Sequence, residues 1–189
     1  MKTGITGGIG SGKSYVCRLL AKQGIEVYDC DAAAKRLMHG SAELRRQLTD
    51  LIGLDTYLAD GRLNKAVVAR FLLQSEANTK AIDAVVHPAV FSDIEQSGAQ
   101  WVDSAILYES GLYRLVDRVV VVTAPEEVRI RRIMLRDGIT REKAQEWIAR
   151  QWPQDEIRRR ADIEIVNDGL QPLDIQIQRL LQQPYDKTI

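Results

Sequence analysis

Gly7 to Ser14 read Gly-Gly-Ile-Gly-Ser-Gly-Lys-Ser, a glycine followed, after four residues, by Gly-Lys-Ser. That spacing suits the binding of nucleotide phosphates. Glycines let the backbone curl so that successive N–H groups face one anion. Lys13 reaches toward β- and γ-phosphates, and the Ser14 hydroxyl is a ligand for Mg²⁺. Tyr15, Val16, Leu19 and Leu20 follow at helical spacing. The loop therefore opens a helix, whose N-terminal dipole adds to the anion site.

Phosphate loops serve motors, switches and kinases, so other residues must choose among them. Asp29 and Asp31 flank Cys30 after the alternating run 25–28. On an extended chain these carboxylates share a face. Either can take the proton of an attacking hydroxyl or hold Mg²⁺ through water. Asp31 also suits the capping of a helix that starts at Ala32. Further along, Arg129, Arg132 and Arg136 share one helix face, while Glu127 can pair with Arg131 at i, i+4. Guanidinium groups stabilise a phosphoryl group in flight, and a lid carrying them excludes competing water. A solvated basic face has the same pattern.

His87, before Pro88, is either a structural histidine or a ligand contact. Glu109 is expected at the carboxyl end of a strand over 101–108, facing the cleft. Asn167-Asp168-Gly169 reads first as turn chemistry, at a position suited to meeting an adenine base. Asp50-Leu51-Ile52-Gly53 fits the D-x-x-G element of a GTPase switch, but it lies on a helical apolar stripe. Asn64-Lys65 is not followed by the aspartate of a guanine signature.

The elements that must position these groups are legible in outline. Strands are expected at 3–6, 25–28, 101–108, 119–122 and 163–166. Val119 to Val122 form an uninterrupted apolar run, as in a strand buried on both faces. Helices are expected after the loop, through most of 32–96, from Pro125 to Asp137, from Thr140 to before Pro153, and along Leu173, Ile177, Leu180 and Leu181. The alternation implies an α/β fold with a parallel sheet and right-handed crossovers. The block 32–98 is too long for a simple crossover and is expected to form a helical subdomain. The 189 residues carry 26 basic and 26 acidic side chains. That balance argues against bulk attraction to nucleic acid or anionic membrane, and no apolar run has the length of a membrane span. Cys17 and Cys30 lack metal or disulfide spacing and read as reduced thiols of a cytoplasmic protein.

Taken in order, these residues resemble the bacterial dephospho-coenzyme A kinase family along nearly the whole chain. The resemblance rests on Thr6 to Ser14, Asp29-x-Asp31, His87-Pro88, Leu107-Tyr108-Glu109-Ser110-Gly111, Arg132, Arg136-Asp137-Gly138, Gln151, Ala161-Asp162 and Asn167-Asp168-Gly169. It implies a three-layer P-loop core with a five-stranded parallel sheet (about 1–31, 99–125 and 161–189), a substrate subdomain (about 32–98) and a lid (about 126–160). It implies ATP-dependent phosphorylation of the ribose 3′-hydroxyl of dephospho-CoA, with Mg²⁺, in a monomer or weak oligomer. Asp31, Lys13, Arg132 and Arg136 are then the expected catalytic residues. ATP contacts fall to Gly8, Ile9, Gly10, Ser11, Gly12, Lys13, Ser14, Tyr15 and Asn167, and acceptor contacts to Asp29, Asp31, His87 and Glu109. Tyr15, Ala105, Arg129 and Trp147 depart from residues usual in the family; glutamine is common where Arg129 stands.

Overall fold

The computed structural model describes residues 1–183, in two compact units. The first comprises Met1–Tyr28 and the chain from Ala99 onward, and the second is Asp29–Gly98. In the first unit, β1 (Thr3–Thr6) leads into the loop and α1 (Lys13–Lys22), and the next strand is β2 (Val27–Asp29). β3 (Trp101–Asp103), β4 (Arg118–Thr123) and β5 (Ile163–Val166) complete a sheet of order β2-β3-β1-β4-β5. β1 lies parallel to both β3 and β4, with Gly4 opposite Val102 on one side and Val119 on the other.

Every residue of β1 and β4 is buried, which explains the small or apolar residues of β1 and the four valines of β4. Ile5, Val16, Leu20, Val120, Val122, Ile165, Ile177 and Leu180 form one core between the sheet, α1 and the closing helix α9 (Leu173–Gln182). The segment 126–160 belongs to this first unit and carries α6 (Glu126–Asp137), α7 (Arg141–Ala149) and α8 (Gln154–Arg160). Thr140 caps α7 by accepting the Lys143 N–H at 3.3 Å. α8 was hidden in sequence by its charge run, and Gln154 ties it to β4. Its amide exchanges hydrogen bonds with the N–H and C=O of Ala124, each at 3.1 Å.

The second unit is helical. It holds α2 (Cys30–Gly40), α3 (Ala42–Ile52), α4 (Lys65–Gln74) and α5 (Glu76–Ser97). Leu44 and Leu48 of α3 and Val86, Val90 and Ile94 of α5 are buried. Pro88 sits inside α5. Asp50 to Gly53 run from the end of α3 into its C-cap, so the D-x-x-G match is a helix terminus rather than a switch loop. Among the described residues no helix is long and apolar enough to cross a membrane.

Two strand expectations shift. β2 begins only at Val27, because Ile25 donates its N–H to Leu20 O at 3.1 Å and still belongs to the turn closing α1. β3 stops at Asp103, and the chain then turns: Ser110 N–H bonds Ile106 O at 2.9 Å and Tyr113 N–H bonds Leu107 O at 3.1 Å. The apolar run Ala105 to Tyr108 is therefore turn, not strand, burying Leu107 and Tyr108 while Ile106 is exposed. The reason is packing: Gly4 has no side chain, and a Cβ there would lie 2.5 Å from Leu107 Cδ1.

Asp29, not Asp31, caps α2, accepting the Ala32 N–H at 2.9 Å. Asp29→Ala should cost about 1 kcal/mol, the usual worth of such a cap. A urea titration should show it as a lower midpoint at unchanged slope. Asp31→Asn should leave that midpoint within about 0.5 kcal/mol of the parent.

Candidate active site

A loop whose N–H groups converge on an anion must turn its carbonyl oxygens outward, and buried carbonyls need donors. In this chain the donors are side chains. Arg129 Nε donates to Ile9 O at 2.9 Å, and Arg132 Nη1 donates to Gly10 O at 3.3 Å and Ser11 O at 3.2 Å. Asn167 Nδ2 also donates to Ser11 O, at 2.8 Å, and Asn167 Oδ1 accepts from Arg132 Nη2 at 3.2 Å. The Ile9 N–H is directed to Gln151 Oε1 at 2.7 Å. The outer rim of the loop is thus held from α6, from the residue following β5 and from the end of the α7 turn.

The glycines fit this frame. Gly12 has φ +90°, and a Cβ there would stand 2.0 Å from Asn167 Nδ2. Gly10 has φ +80°, and its Cβ would meet the Arg129 backbone at 2.7 Å. Ser11 N–H closes a turn to Gly8 O at 3.0 Å, and the Tyr15 N–H bonds Gly12 O at 2.9 Å as α1 starts. The Tyr15 ring is exposed, with Arg18 over it.

Lys13, on the first turn of α1, forms an ion pair with Asp103 at the end of β3. Both side chains are largely buried, 14% and 11% exposed, so the pair is shielded from solvent. The other oxygen of Asp103 accepts from Cys17 Sγ at 3.5 Å. Sequence reasoning passed over Asp103, although a carboxylate closing a buried apolar strand was a usable signal. Among the described residues no cluster of three or more His, Cys, Asp or Glu could enclose a metal ion. Ser14 Oγ makes no hydrogen bond among the described residues. Thr6 Oγ1 and Ser11 Oγ are buried with no partner, further polar capacity lining the loop.

The arginine stripe divides. Arg129 and Arg132 face the loop, whereas Arg136 pairs with the adjacent Asp137 at 2.8 Å near the end of α6. Glu127 pairs with Arg141 of α7 rather than with Arg131. Arg129 is 4% exposed, and burial lowers the pKa of its guanidinium. No carboxylate lies within ion-pair distance of it among the described residues. Glu109 is exposed in the turn after β3 and has no hydrogen bond or ion pair to the loop among the described residues. Its expected place at a strand end fails because β3 ends six residues earlier.

In the second unit, Asp31 lies exposed in the first turn of α2 and makes no hydrogen bond or ion pair among the described residues. Asp29 and Asp31 do not share an extended face, because the helix starts between them at Cys30. His87 is partly buried on α5, with Nε2 3.6 Å from Asp83 Oδ1 and its ring stacked on Phe91.

Tyr108 stacks on Trp152, with ring centroids 6.2 Å apart, and its buried hydroxyl has no hydrogen-bond partner among the described residues. Burial pushes the phenol up to about 12, with the nearby Asp162 charge adding to the effect.

A parallel sheet, a glycine loop opening α1 and a buried Lys13–Asp103 pair define a P-loop phosphotransferase of the small-molecule kinase type. The family profile described as dephospho-CoA kinase matches residues 1–172. A dephospho-CoA kinase of Bacteroides fragilis is 37% identical over 194 aligned residues, covering 99% of this chain and 94% of that protein. The crystal structure of TT1252 from Thermus thermophilus superposes with a TM-score of 0.80 at 34% identity, covering 96% of each chain. The dephospho-CoA kinase of Campylobacter jejuni shares the fold, with a TM-score of 0.68 at 19% identity and the same coverage. The chain belongs to the dephospho-CoA kinase family.

Two outcomes follow from this geometry. Gly12→Ala should abolish nucleotide binding, because strain at positive φ and the contact with Asn167 act together; calorimetry with ADP would measure the loss. Tyr108 should stay protonated through pH 10 in the folded protein, a phenolate absorbance appearing only toward pH 12. Its raised pKa contributes stability that is complete below pH 10 and lost as pH climbs through about 12.

Proposed function

We propose that this chain transfers the γ-phosphoryl group of ATP to the ribose 3′-hydroxyl of dephospho-CoA, giving coenzyme A and ADP. Membership of the family across residues 1–172 carries the acceptor assignment. The glycine loop at the start of α1, with the carbonyls of Ile9, Gly10 and Ser11 held by side chains, supports the donor assignment.

Ser14 Oγ and the Asp103 carboxylate would hold Mg²⁺, which when bound offsets charge on the β- and γ-phosphates. Lys13, steadied by Asp103, reaches the same oxygens. Gly8 to Tyr15 cradle the triphosphate, and Asn167, beside the loop, meets the adenine base. Asp31 orients the 3′-hydroxyl and accepts its proton at a carboxylate oxygen as the hydroxyl attacks phosphorus in line. Its exposure supports that role, and among the described residues no other bond competes for the carboxylate.

Arg132 adds positive charge next to the transferring group, and Arg136 joins it by giving up Asp137 for a phosphate oxygen. Asp29, His87 and Glu109 contact the acceptor. The segment 126–160 is the lid that excludes water from the reaction.

The test is acceptor-dependent ADP production from ATP–Mg²⁺, with dephospho-CoA, AMP or shikimate supplied in turn and the product analysed by mass. Turnover with dephospho-CoA alone, yielding a 3′-phosphorylated product, is expected; preference for another acceptor refutes the assignment. Asp31→Asn should lose about 10²-fold or more in kcat while ADP affinity stays within about twofold. Near-parental kcat in that variant would remove Asp31 from the mechanism.

A further inference from the structure

We propose that Arg129 and Gln151 are positioning residues that fix the Ile9 peptide, and through it the curvature of the phosphate loop, so that the segment 126–160 sets the affinity for nucleotide polyphosphate. The inference rests on the nucleotide half of the function proposed above and not on the acceptor.

Three observations converge on Ile9. Arg129 Nε donates to its carbonyl at 2.9 Å, and Gln151 Oε1 accepts from its N–H at 2.7 Å. Its side chain packs on the cluster of Ile130, Ile133 and Ala144 from α6 and α7. Every handle of one loop residue is therefore held by one segment of chain more than a hundred residues away. The neighbouring glycines cannot resist rotation on their own, having no side chains to pack. Gly8 and Gly10 lie on either side of Ile9, and both sit directly against Arg129. A Cβ on Gly8 would stand 2.6 Å from Arg129 Nη2, and one on Gly10 would stand 2.7 Å from its carbonyl oxygen.

The two residues do different work. Gln151 supplies an acceptor without charge. Arg129 supplies a donor and a buried positive charge, which bonds the neutral Ile9 carbonyl. A guanidinium buried without a carboxylate is costly by itself. Beside a loop that takes polyphosphate, the charge lowers the energy of the anion without touching it.

The experiment measures ADP affinity by calorimetry for Arg129→Gln, Arg129→Met and Gln151→Ala, together with kcat and both KM values. Thermal melts establish that each variant is folded. Arg129→Gln retains a donor and removes the charge, Arg129→Met keeps volume and removes both, and Gln151→Ala releases only the Ile9 N–H. Gln151→Ala and Arg129→Met should each weaken ADP and raise the KM for ATP by about tenfold, with the acceptor KM unchanged. Arg129→Gln should fall between Arg129→Met and the parent.

Hydrogen exchange gives a second readout. The Ile9 amide should exchange faster in Gln151→Ala while core amides of β4 keep their protection. Folded variants with ADP affinity and Ile9 exchange equal to the parent would overturn the proposal. So would equal rises in the KM for ATP and for the acceptor, which mark a general structural role. ADP affinity does not depend on the acceptor, so a wrong acceptor assignment would leave this result readable.

Discussion

The site depends on a backbone turned inside out. For the loop to leave N–H groups free for an anion, the carbonyls of Ile9, Gly10 and Ser11 must point away from it, while the Ile9 N–H is itself held by Gln151. The carbonyls do so into protein, where Arg129, Arg132 and Asn167 supply the donors. An unpaired buried carbonyl would cost about 1–3 kcal/mol, enough to relax a glycine-rich segment into some other turn. The α6 helix and the residue after β5 are thus conditions for the loop to exist in this form. The sheet follows from the same need. β1 must deliver Thr6 to the loop beside β4, itself next to β5, so that α6 and Asn167, which follow β4 and β5, emerge near it.

Charge is arranged with equal economy. Lys13 is matched by Asp103 in a shielded setting, so the ammonium is held in place by a group of opposite sign. The guanidinium groups of Arg129 and Arg132 are matched by carbonyl dipoles and an amide instead. Dipoles orient a cation without cancelling its charge, so positive potential persists at the loop rim. The same residue type on α6 has another fate one turn further on, where Arg136 is exposed and paired with Asp137. A helical stripe therefore predicts a shared face, while depth along that face decides what each arginine meets.

Much of the fold could be read from sequence because its signals are local. Gly7 to Ser14, the valines of β4, Pro125 and Thr140 each constrain only their own few residues. The errors came where packing overrode local pattern. Ala105 to Tyr108 are apolar enough for a strand, but the space left by Gly4 draws Leu107 into a turn. Asp29 and Asp31 look like a matched pair until the helix begins between them, whereupon one becomes a cap and the other keeps its carboxylate uncommitted. The loop clamp was illegible for a different reason. Bonds such as Arg129 to Ile9 span 120 residues and join a side chain to backbone. They leave no periodic trace in either segment.

This asymmetry explains how Arg129 can serve at a position where the family resemblance leads one to expect glutamine. The structure asks that position for a donor to the Ile9 carbonyl, and either side chain can provide one. Arginine adds charge in a pocket that is 4% exposed, where the cost of burial is largest. Such a cost is tolerated when the charge acts on something beyond its own hydrogen bond, and a polyphosphate taken up by the same loop, as proposed, would be such a partner. Gly8 and Gly10 both abut Arg129, so no side chain of theirs screens its charge from the loop.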